Sequence, residues 1–483
     1  MEIIMFEYNT AYSPESQGID SKYIINVLNK LASDKVDMHS VLISRNSKLI
    51  YEAYYAPFTR ETPHRLFSCT KSFVSLAIGC LIEEGKLSLS DPITDYFPEY
   101  MPTDGFSDFL KQTTIRDMLR MQTPYGSTTY KKDVFDDWVK SFFTASPSHR
   151  PGTIFSYDSS ASHVLSGLVE KISGRPLLDF LRNGVLKDTG FSKEAYCLTD
   201  GQGVSQGGSG MIARPLDLMI TAALLVDAAN GRPTPNGFPA EYIKEAVSYH
   251  VPTFVKGGFL AEMNGYGYYF WRLENNGFML YGMAGQLALC YPDLDLIIVT
   301  TADATDRKGG VQQIYDAFAE ELLPYVTDKT SAPPLEKTEN FLALKERSEK
   351  LTVAALENNI HMDFHKRFKM RKNDKNIKEI EVYSSRGDGY IKITNSEGTY
   401  DVKFNFGSNK ETVFPGYECP SLNSAAWTDE TTLIVRCNLI GEQLGKVFFQ
   451  FSFSGGRATM FGRNTEETFY KEFAGFFESE SEI

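Results

Sequence analysis

The stretch SCTKSFVSLAIGCLIEEGKLSLSDPITDYFPEY, residues 68–100, decides how this chain is read. Phe73, Leu76, Ala77, Cys80 and Leu81 fall at i, i+3, i+4, i+7 and i+8, one face of a helix, and Gly85 supplies a stop. At the head of that helix stand Ser68 and Lys71, the one S-x-x-K pair in the chain. If Ser68 opens the helix, this spacing puts hydroxyl and amine on one face. The helix N-terminus adds positive partial charge and backbone N–H groups, which help a lysine shed its proton and stabilise negative charge near the serine. A serine three residues before a lysine is commonplace, so the pair draws its weight from its surroundings.

On the N-terminal side, residues 20–34 have helical apolar spacing, and Val41–Ser44 and Leu49–Tyr55 flank a polar turn as in a β-hairpin. On the C-terminal side, helical patterns run from Ser160 to Ile172, ending near Gly174, and from Pro215 to Ala229. Strand character returns at Gly267–Arg272, Gly277–Gly282, Gln286–Tyr291 and Leu296–Thr301, and a helix is predicted over Val311–Val326. This order predicts an α+β domain in which both ends of the chain build one antiparallel sheet around a long helical insertion. Thr327–Glu339, with Pro333-Pro334, reads as a linker. After a short helical piece at about 340–357, the tail alternates in runs such as IKEIEVYSS, TYDVKFNF and KVFFQFSFS. These runs predict a separate antiparallel, barrel-like β domain. The expected boundaries are 1–330, 331–357 for linker and short helix, and 358–483.

The 483 residues are 42% hydrophobic and 23% charged, enough apolar content to bury a core. A formal net charge of −13, from 49 basic and 62 acidic residues, argues against nucleic-acid binding and against adhesion to anionic lipid. No segment reaches the roughly 18–20 apolar residues of a membrane span. The start MEIIMFEYNT lacks a basic region and a small-residue cleavage site. The six cysteines form neither a CxxC pair nor a zinc spacing. These features read as a cytoplasmic protein with reduced thiols.

The stretch from Ser68 resembles the serine β-lactamase/penicillin-binding-protein superfamily, in its class C-like branch of esterases, D-peptidases and 6-aminohexanoate-dimer hydrolases. Further landmarks follow in order: TTIRDMLRMQT (113–123), with Met121 where many members have His; PGTIFSYDSSASHVLSGLVEKISG (151–174); GGSGMIARPLDLM (207–219); GYGYYFW (265–271); and YGMAGQLALCYPDLDLIIVTTAD (281–303). The resemblance covers roughly residues 15–325. It implies a β-lactamase/transpeptidase-like fold and a serine hydrolase without cofactor or metal. By position, Ser68 is the implied nucleophile, Lys71 its proton acceptor, and Tyr157 the second base and the acid for the leaving group. A free tyrosine titrates near ~10, so as a base at neutral pH it would need a nearby cation such as Lys71.

Two departures from the family pattern bear on substrate choice. Ser159 replaces the Asn of the Y-x-N motif and cannot offer an amide to a substrate carbonyl. The K-T-G position falls on Leu280-Tyr281-Gly282 or on Met283-Ala284-Gly285, and neither holds a lysine for a substrate carboxylate. In the first register the N–H groups of Ser68 and Met283 would form an oxyanion hole. Tyr125, Tyr266, Tyr281, Gly282 and Ser159 are the expected substrate-binding residues, while Phe270 is nearly as well read as core.

Other features carry less. There is no G-x-S-x-G elbow. His361 and His365 would share a face only on a helix and lack a third ligand. The glycines at Gly201–Gly210 lack the strand-to-helix spacing of a phosphate loop. Cys69 reads as a small packed side chain. The expected function is hydrolysis of a small ester, amide or short peptide through an acyl-enzyme, with no nucleic-acid or membrane partner and no oligomeric state specified. The rivals are a D-amino-acid-specific peptidase or aminopeptidase, a β-lactamase, and a retired hydrolase scaffold whose β domain binds a ligand or partner.

Overall fold

A computed structural model describes residues 12–130, 136–253, 259–306, 309–327, 338–416, 418–465 and 473–483. The N-terminal segment read above for a signal, and most of the expected linker, lie outside these residues. The chain divides into two compact units, Met1–Ala302 with Gly309–Leu351, and Asp303–Lys308 with Thr352–Ile483.

The first unit begins with helix α1, Ser21–Ser33, capped by the Asp20 carboxylate, which accepts from Lys22 N at 2.9 Å. Strands β1, Asp37–Arg45, and β2, Lys48–Tyr54, form the expected hairpin. Helix α2, Thr70–Glu83, follows, and every residue from Thr70 to Leu81 is buried. A helix that is apolar on all sides sits inside a core, which accounts for the unbroken VSLAIGCLI run. Gly85, at φ 68°, takes the left-handed conformation that ends it. Helix α3, Ser159–Ser173, ends at Gly174, and helix α4, Pro215–Ala229, starts on its own proline.

Strands β3, Trp271–Arg272, β4, Phe278–Gly282, β5, Gln286–Tyr291, and β6, Leu296–Asp303, then join β1 and β2 in a six-stranded sheet of order β2-β1-β6-β5-β4-β3. The two ends of the domain thus meet in one sheet, where Ser40 and Thr301 hydroxyls lie 2.6 Å apart. Helix α5, Gly310–Glu321, and helix α6, Glu339–Ser348, complete the unit.

Three expectations change here. Only Trp271–Arg272 of the predicted Gly267–Arg272 strand is a strand, because Tyr269 has φ 66° and the Tyr268 and Tyr269 amides donate to Ala246 and Leu119. The last helix stops at Glu321, and Leu323–Tyr325, containing Pro324, forms a separate turn. Helix α6, expected between the domains, belongs to the first unit: Leu344 is buried and Ser348 Oγ lies 3.0 Å from Tyr51 Oη.

The second unit is a closed barrel. Its strands are β7, Phe364–Met370; β8, Glu379–Ser384; β9, Asp388–Thr394; β10, Thr399–Phe406; β11, Lys410–Phe414; β12, Cys419–Asp429; β13, Thr432–Leu439; β14, Gly445–Ser454; β15, Arg457–Asn464; and β16, Gly475–Glu482. A parallel pairing of β10 with β12 closes a ring of nine strands, and β11 pairs with β12. Strand β14 shows the governing period of two: Val447, Phe449, Phe451 and Phe453 point inward while Gln450, Ser452 and Ser454 are exposed. The inward side chains, Phe368, Trp427 and Phe449 among them, fill the interior as one apolar cluster. His361 lies ahead of strand β7 and His365 within it, so the helical spacing a metal pair would need is absent. Among the described residues no group of side chains could hold a metal, and no helix is long and apolar enough to cross a membrane.

Candidate active site

Ser68 sits in a tight turn, Phe67–Cys69, leading directly into α2, and its side chain is half-buried. The turn is fastened from several sides. Leu66 N donates to Met211 O at 2.8 Å, and Thr70 Oγ1 donates to Phe67 O at 2.6 Å. Cys69 Sγ donates to the Gln286 carbonyl at 3.1 Å. Phe67 is held at φ 46°, an uncommon conformation for a bulky side chain that such over-determination sustains. Burial pushes the Cys69 thiol far above its ordinary range, so it packs and stays protonated.

Lys71 is 1% exposed. Its Nζ donates to Ser68 Oγ at 3.1 Å and to the Gly208 carbonyl at 2.7 Å. Burial lowers its pKa to about 7, opposed in part by the nearby Asp158 carboxylate. Desolvation disfavours the ammonium form, and the partial negative charges within reach do not restore it. Gly208 reaches the amine because the glycine loop lies flat on α3: a Cβ on Gly207 would come 2.4 Å from Ser162 O. The glycine cluster therefore serves close packing and presents a carbonyl, a role not visible in its spacing.

Tyr157 approaches from the start of α3. Asp158 caps that helix, accepting from Ser160 N at 2.8 Å and from Thr123 Oγ1 at 3.0 Å, and its own N–H donates to Met121 Sδ at 3.3 Å. Met121 thus anchors the Tyr157 loop. The Tyr157 ring lies 4.8 Å from Lys71 Nζ and stacks on Trp271 at 5.8 Å. Burial raises the phenol well above its ordinary pKa, and a hydrogen bond with Ser68 only partly offsets this. Ser159 is beside Gly208, whose Cβ would come 3.2 Å from the Ser159 Cβ.

The β4–β5 corner closes the other side. Leu280, Tyr281 and Gly282 end β4, whereas Met283–Gly285 forms the turn that returns to Gln286, with Ala284 at φ 65°. Gly282 lies so near the Ser68 turn that a Cβ there would be 2.3 Å from Leu66 O. Met283 follows it, half-buried at the edge of the site. Tyr281 is also half-buried and lies 5.9 Å from Trp271 ring to ring; burial, with the nearby Glu262 carboxylate, pushes its phenol well above the ordinary range. Tyr125 and Tyr266, expected to touch substrate, are instead buried. Tyr125 is 4% exposed with its hydroxyl on Phe142 O, and Tyr266 is 1% exposed, edge-on to Trp271. Phe270 is core. Gly208, Asp158, Trp271 and Glu262 were missed by the sequence reading. Of these, Asp158 alone carried a local signal, as a cap residue ahead of an apolar helix.

Comparison with known proteins follows the same lines. The family model described as Beta-lactamase matches residues 29–318. The 6-aminohexanoate-dimer hydrolase of Paenarthrobacter ureafaciens is 26% identical over 226 residues, covering 41% of this chain and 55% of that protein. The chain thus spans about half the length of this curated relative. A Bacillus anthracis structure described as a 6-aminohexanoate-dimer hydrolase has TM-score 0.50 at 20% identity, covering 62% of this chain and 81% of that one. The structure of SurE with D-Leu has TM-score 0.51 at 15% identity, covering 90% and 94%.

Proposed function

The chain belongs to the β-lactamase family, whose members are serine hydrolases, and from that premise we propose that it cleaves small esters or amides through an acyl-enzyme on Ser68. One observation carries the reading: a buried Lys71 amine, with its pKa lowered to about 7, lies 3.1 Å from the Ser68 hydroxyl. A neutral amine donates one N–H to Gly208 O and turns its lone pair to Ser68, which is the arrangement a general base needs.

In this reading Lys71 takes the Ser68 proton as Oγ attacks the carbonyl carbon. The resulting oxyanion accepts from the N–H groups of Ser68 and Met283. Tyr157, kept protonated by burial, donates its proton to the leaving oxygen or nitrogen and is reprotonated from the Lys71 ammonium. The C–O or C–N bond breaks and an ester on Ser68 remains. Water then attacks that ester, its proton passing to the Tyr157–Lys71 pair and back to Ser68 Oγ. Neutral acyl groups suit the site better than carboxylate-bearing ones, because Leu280–Gly285 holds no lysine and Ser159 offers no amide.

The test is intact-protein mass after exposure to a fluorophosphonate, a penicillin and a short-chain nitrophenyl ester, with Ser68→Ala as control. A fluorophosphonate adduct and ester turnover, both lost in Ser68→Ala, are expected. No adduct and no turnover would overturn the hydrolase reading in favour of a retired scaffold. An adduct with penicillin alone would redirect the substrate class to β-lactams.

A further inference from the structure

The carbonyl that holds Lys71 belongs to a hairpin anchored at both ends. Between Tyr196 and Ala213 the chain folds back on itself: Leu198 N donates to Gly210 O at 2.9 Å, Gln206 N to Leu198 O at 2.7 Å, and Asp200 N to Val204 O at 2.9 Å. Its base is tied to the residues around Ser68, where Arg65 Nε donates to Ser209 O at 3.0 Å and Met211 N to Thr70 Oγ1 at 3.0 Å. Its tip is tied to α3. Asp200 Oδ1 accepts from Gln202 N and Val204 N, each at 3.0 Å, and Oδ2 accepts from Trp138 N at 3.3 Å and His163 Nε2 at 2.9 Å. The His163 and Asp200 side chains are both fully buried. Burial pushes the Asp200 carboxyl up, but the hydrogen bonds from His163 and the backbone outweigh it and hold the group below the ordinary carboxylate range. A buried carboxylate of this kind needs its donor, because an unpaired one is costly.

His163 stands one helical turn after Ser159, on the same face of α3. Along that face Ser159 packs on Gly208 and His163 bonds to Asp200. The His163 ring meets Trp138 edge-on, 5.3 Å between centroids, which fixes its direction. The helix that presents Tyr157 at its start therefore also sets how closely the hairpin lies on Lys71.

Resting on the hydrolase reading, we propose that His163 is a positioning residue: through Asp200 it fixes the hairpin, so that the Gly208 carbonyl stays on Lys71 Nζ and water stays off the amine. His163 acts only through the hairpin. Without this tie the hairpin lifts and the amine is hydrated, which restores the ammonium form toward its ordinary stability. Ser68, Cys69, Tyr157 and Asp158, which also surround the amine, stay as they are.

Initial rates on a short-chain nitrophenyl ester across about pH 6 to 9.5 test this in the wild-type protein, His163→Leu and His163→Gln. Leucine fills the space without a donor, whereas a glutamine amide can reach the place of Nε2 and donate. In His163→Leu, kcat at about pH 7 should fall about tenfold or more with KM within about twofold. The midpoint of its rising limb should move up by about one pH unit or more, so that activity recovers toward about pH 9. His163→Gln should stay within about threefold of the wild type, with its limb in place. If His163→Leu does not fold, His163→Leu/Asp200→Asn leaves no unpaired buried charge, keeps acceptors for the tip and should show the same moved limb. Unchanged kcat and limb without the donor, a loss of kcat with the limb unmoved, or a glutamine variant as impaired as the leucine one would overturn the positioning role while leaving the hydrolase intact. If the wild-type protein shows neither turnover above Ser68→Ala nor a fluorophosphonate adduct, the hydrolase reading fails and the positioning role fails with it.

Discussion

The Lys71 side-chain nitrogen lies 2.7 Å from the carbonyl oxygen of Gly208, a residue 137 positions further along the chain. That contact uses one N–H of the amine and orients the remainder toward Ser68. Together with burial, it determines what protonation state the site can use.

Activity should follow the Lys71 amine. With its pKa lowered to about 7, kcat/KM for a short-chain ester should rise with pH below that value and level off above it. Tyr157 is held well above its ordinary range, so no falling limb should appear below about pH 9. Lys71→Arg keeps the charge but cannot shed a proton, and kcat should drop by about a hundredfold or more. A profile flat from about pH 5 to 9 in the wild type would contradict this assignment of the base.

The same amine should weigh on stability. Folded Lys71 releases its proton near 7, whereas in the unfolded chain it holds it to the ordinary 10.5. Between those values the unfolded state binds more protons, so stability should rise with pH across that window. Lys71→Met should remove this rise and melt higher at pH 7, by a few degrees or about 1–2 kcal/mol, while abolishing turnover. Thermal melts of both proteins at several pH values check this, and parallel pH dependences would refute it.

Gly282 should be intolerant of any side chain. A Cβ there would stand 2.3 Å from Leu66 O, a backbone atom held by the Ser68 turn. Gly282→Ala should therefore cost about 1–3 kcal/mol and displace the turn, with ester turnover reduced about tenfold or more. Gly126→Ala, with nothing within 4 Å of its Cβ, is the matched control. Equal stability and activity for the two variants would show that the Gly282 contact is unimportant.

The barrel should behave as a packed core. Phe449 is fully buried among the inward-facing aromatics, so Phe449→Ala should destabilise the second unit by about 3–5 kcal/mol. Ser452→Ala, on the outward face of the same strand, should change stability by less than about 0.5 kcal/mol. Denaturant unfolding followed by Trp427 fluorescence separates the two, and similar midpoints would contradict a side-chain-filled interior.

Sequence periodicity alone was enough for the elements. Helix α4 begins and ends where Pro215–Ala229 was read, strand β5 matches Gln286–Tyr291, and the alternating tail forms β strands. Periodicity did not single out Ser68, Lys71 and Tyr157: the S-x-x-K spacing is commonplace by itself, and the three came from the resemblance of their segments to a known family. Each of these signals is held in a run of neighbouring residues, where spacing and local backbone preference decide the outcome.

What the fold alone decided is a set of long-range contacts. The Gly208 carbonyl on Lys71, the Gly282–Leu66 approach, the burial of Tyr125 and Tyr266 and the stacking of Trp271 on Tyr157 have no counterpart in local pattern. Nor did the pattern reveal that α6 joins the first unit. In each case two segments far apart in sequence are brought together by burial of apolar surface, and only then do desolvation and hydrogen bonding fix the protonation state of an amine. The chain's local order specified which groups were available for chemistry, and its packing specified their charge and their partners.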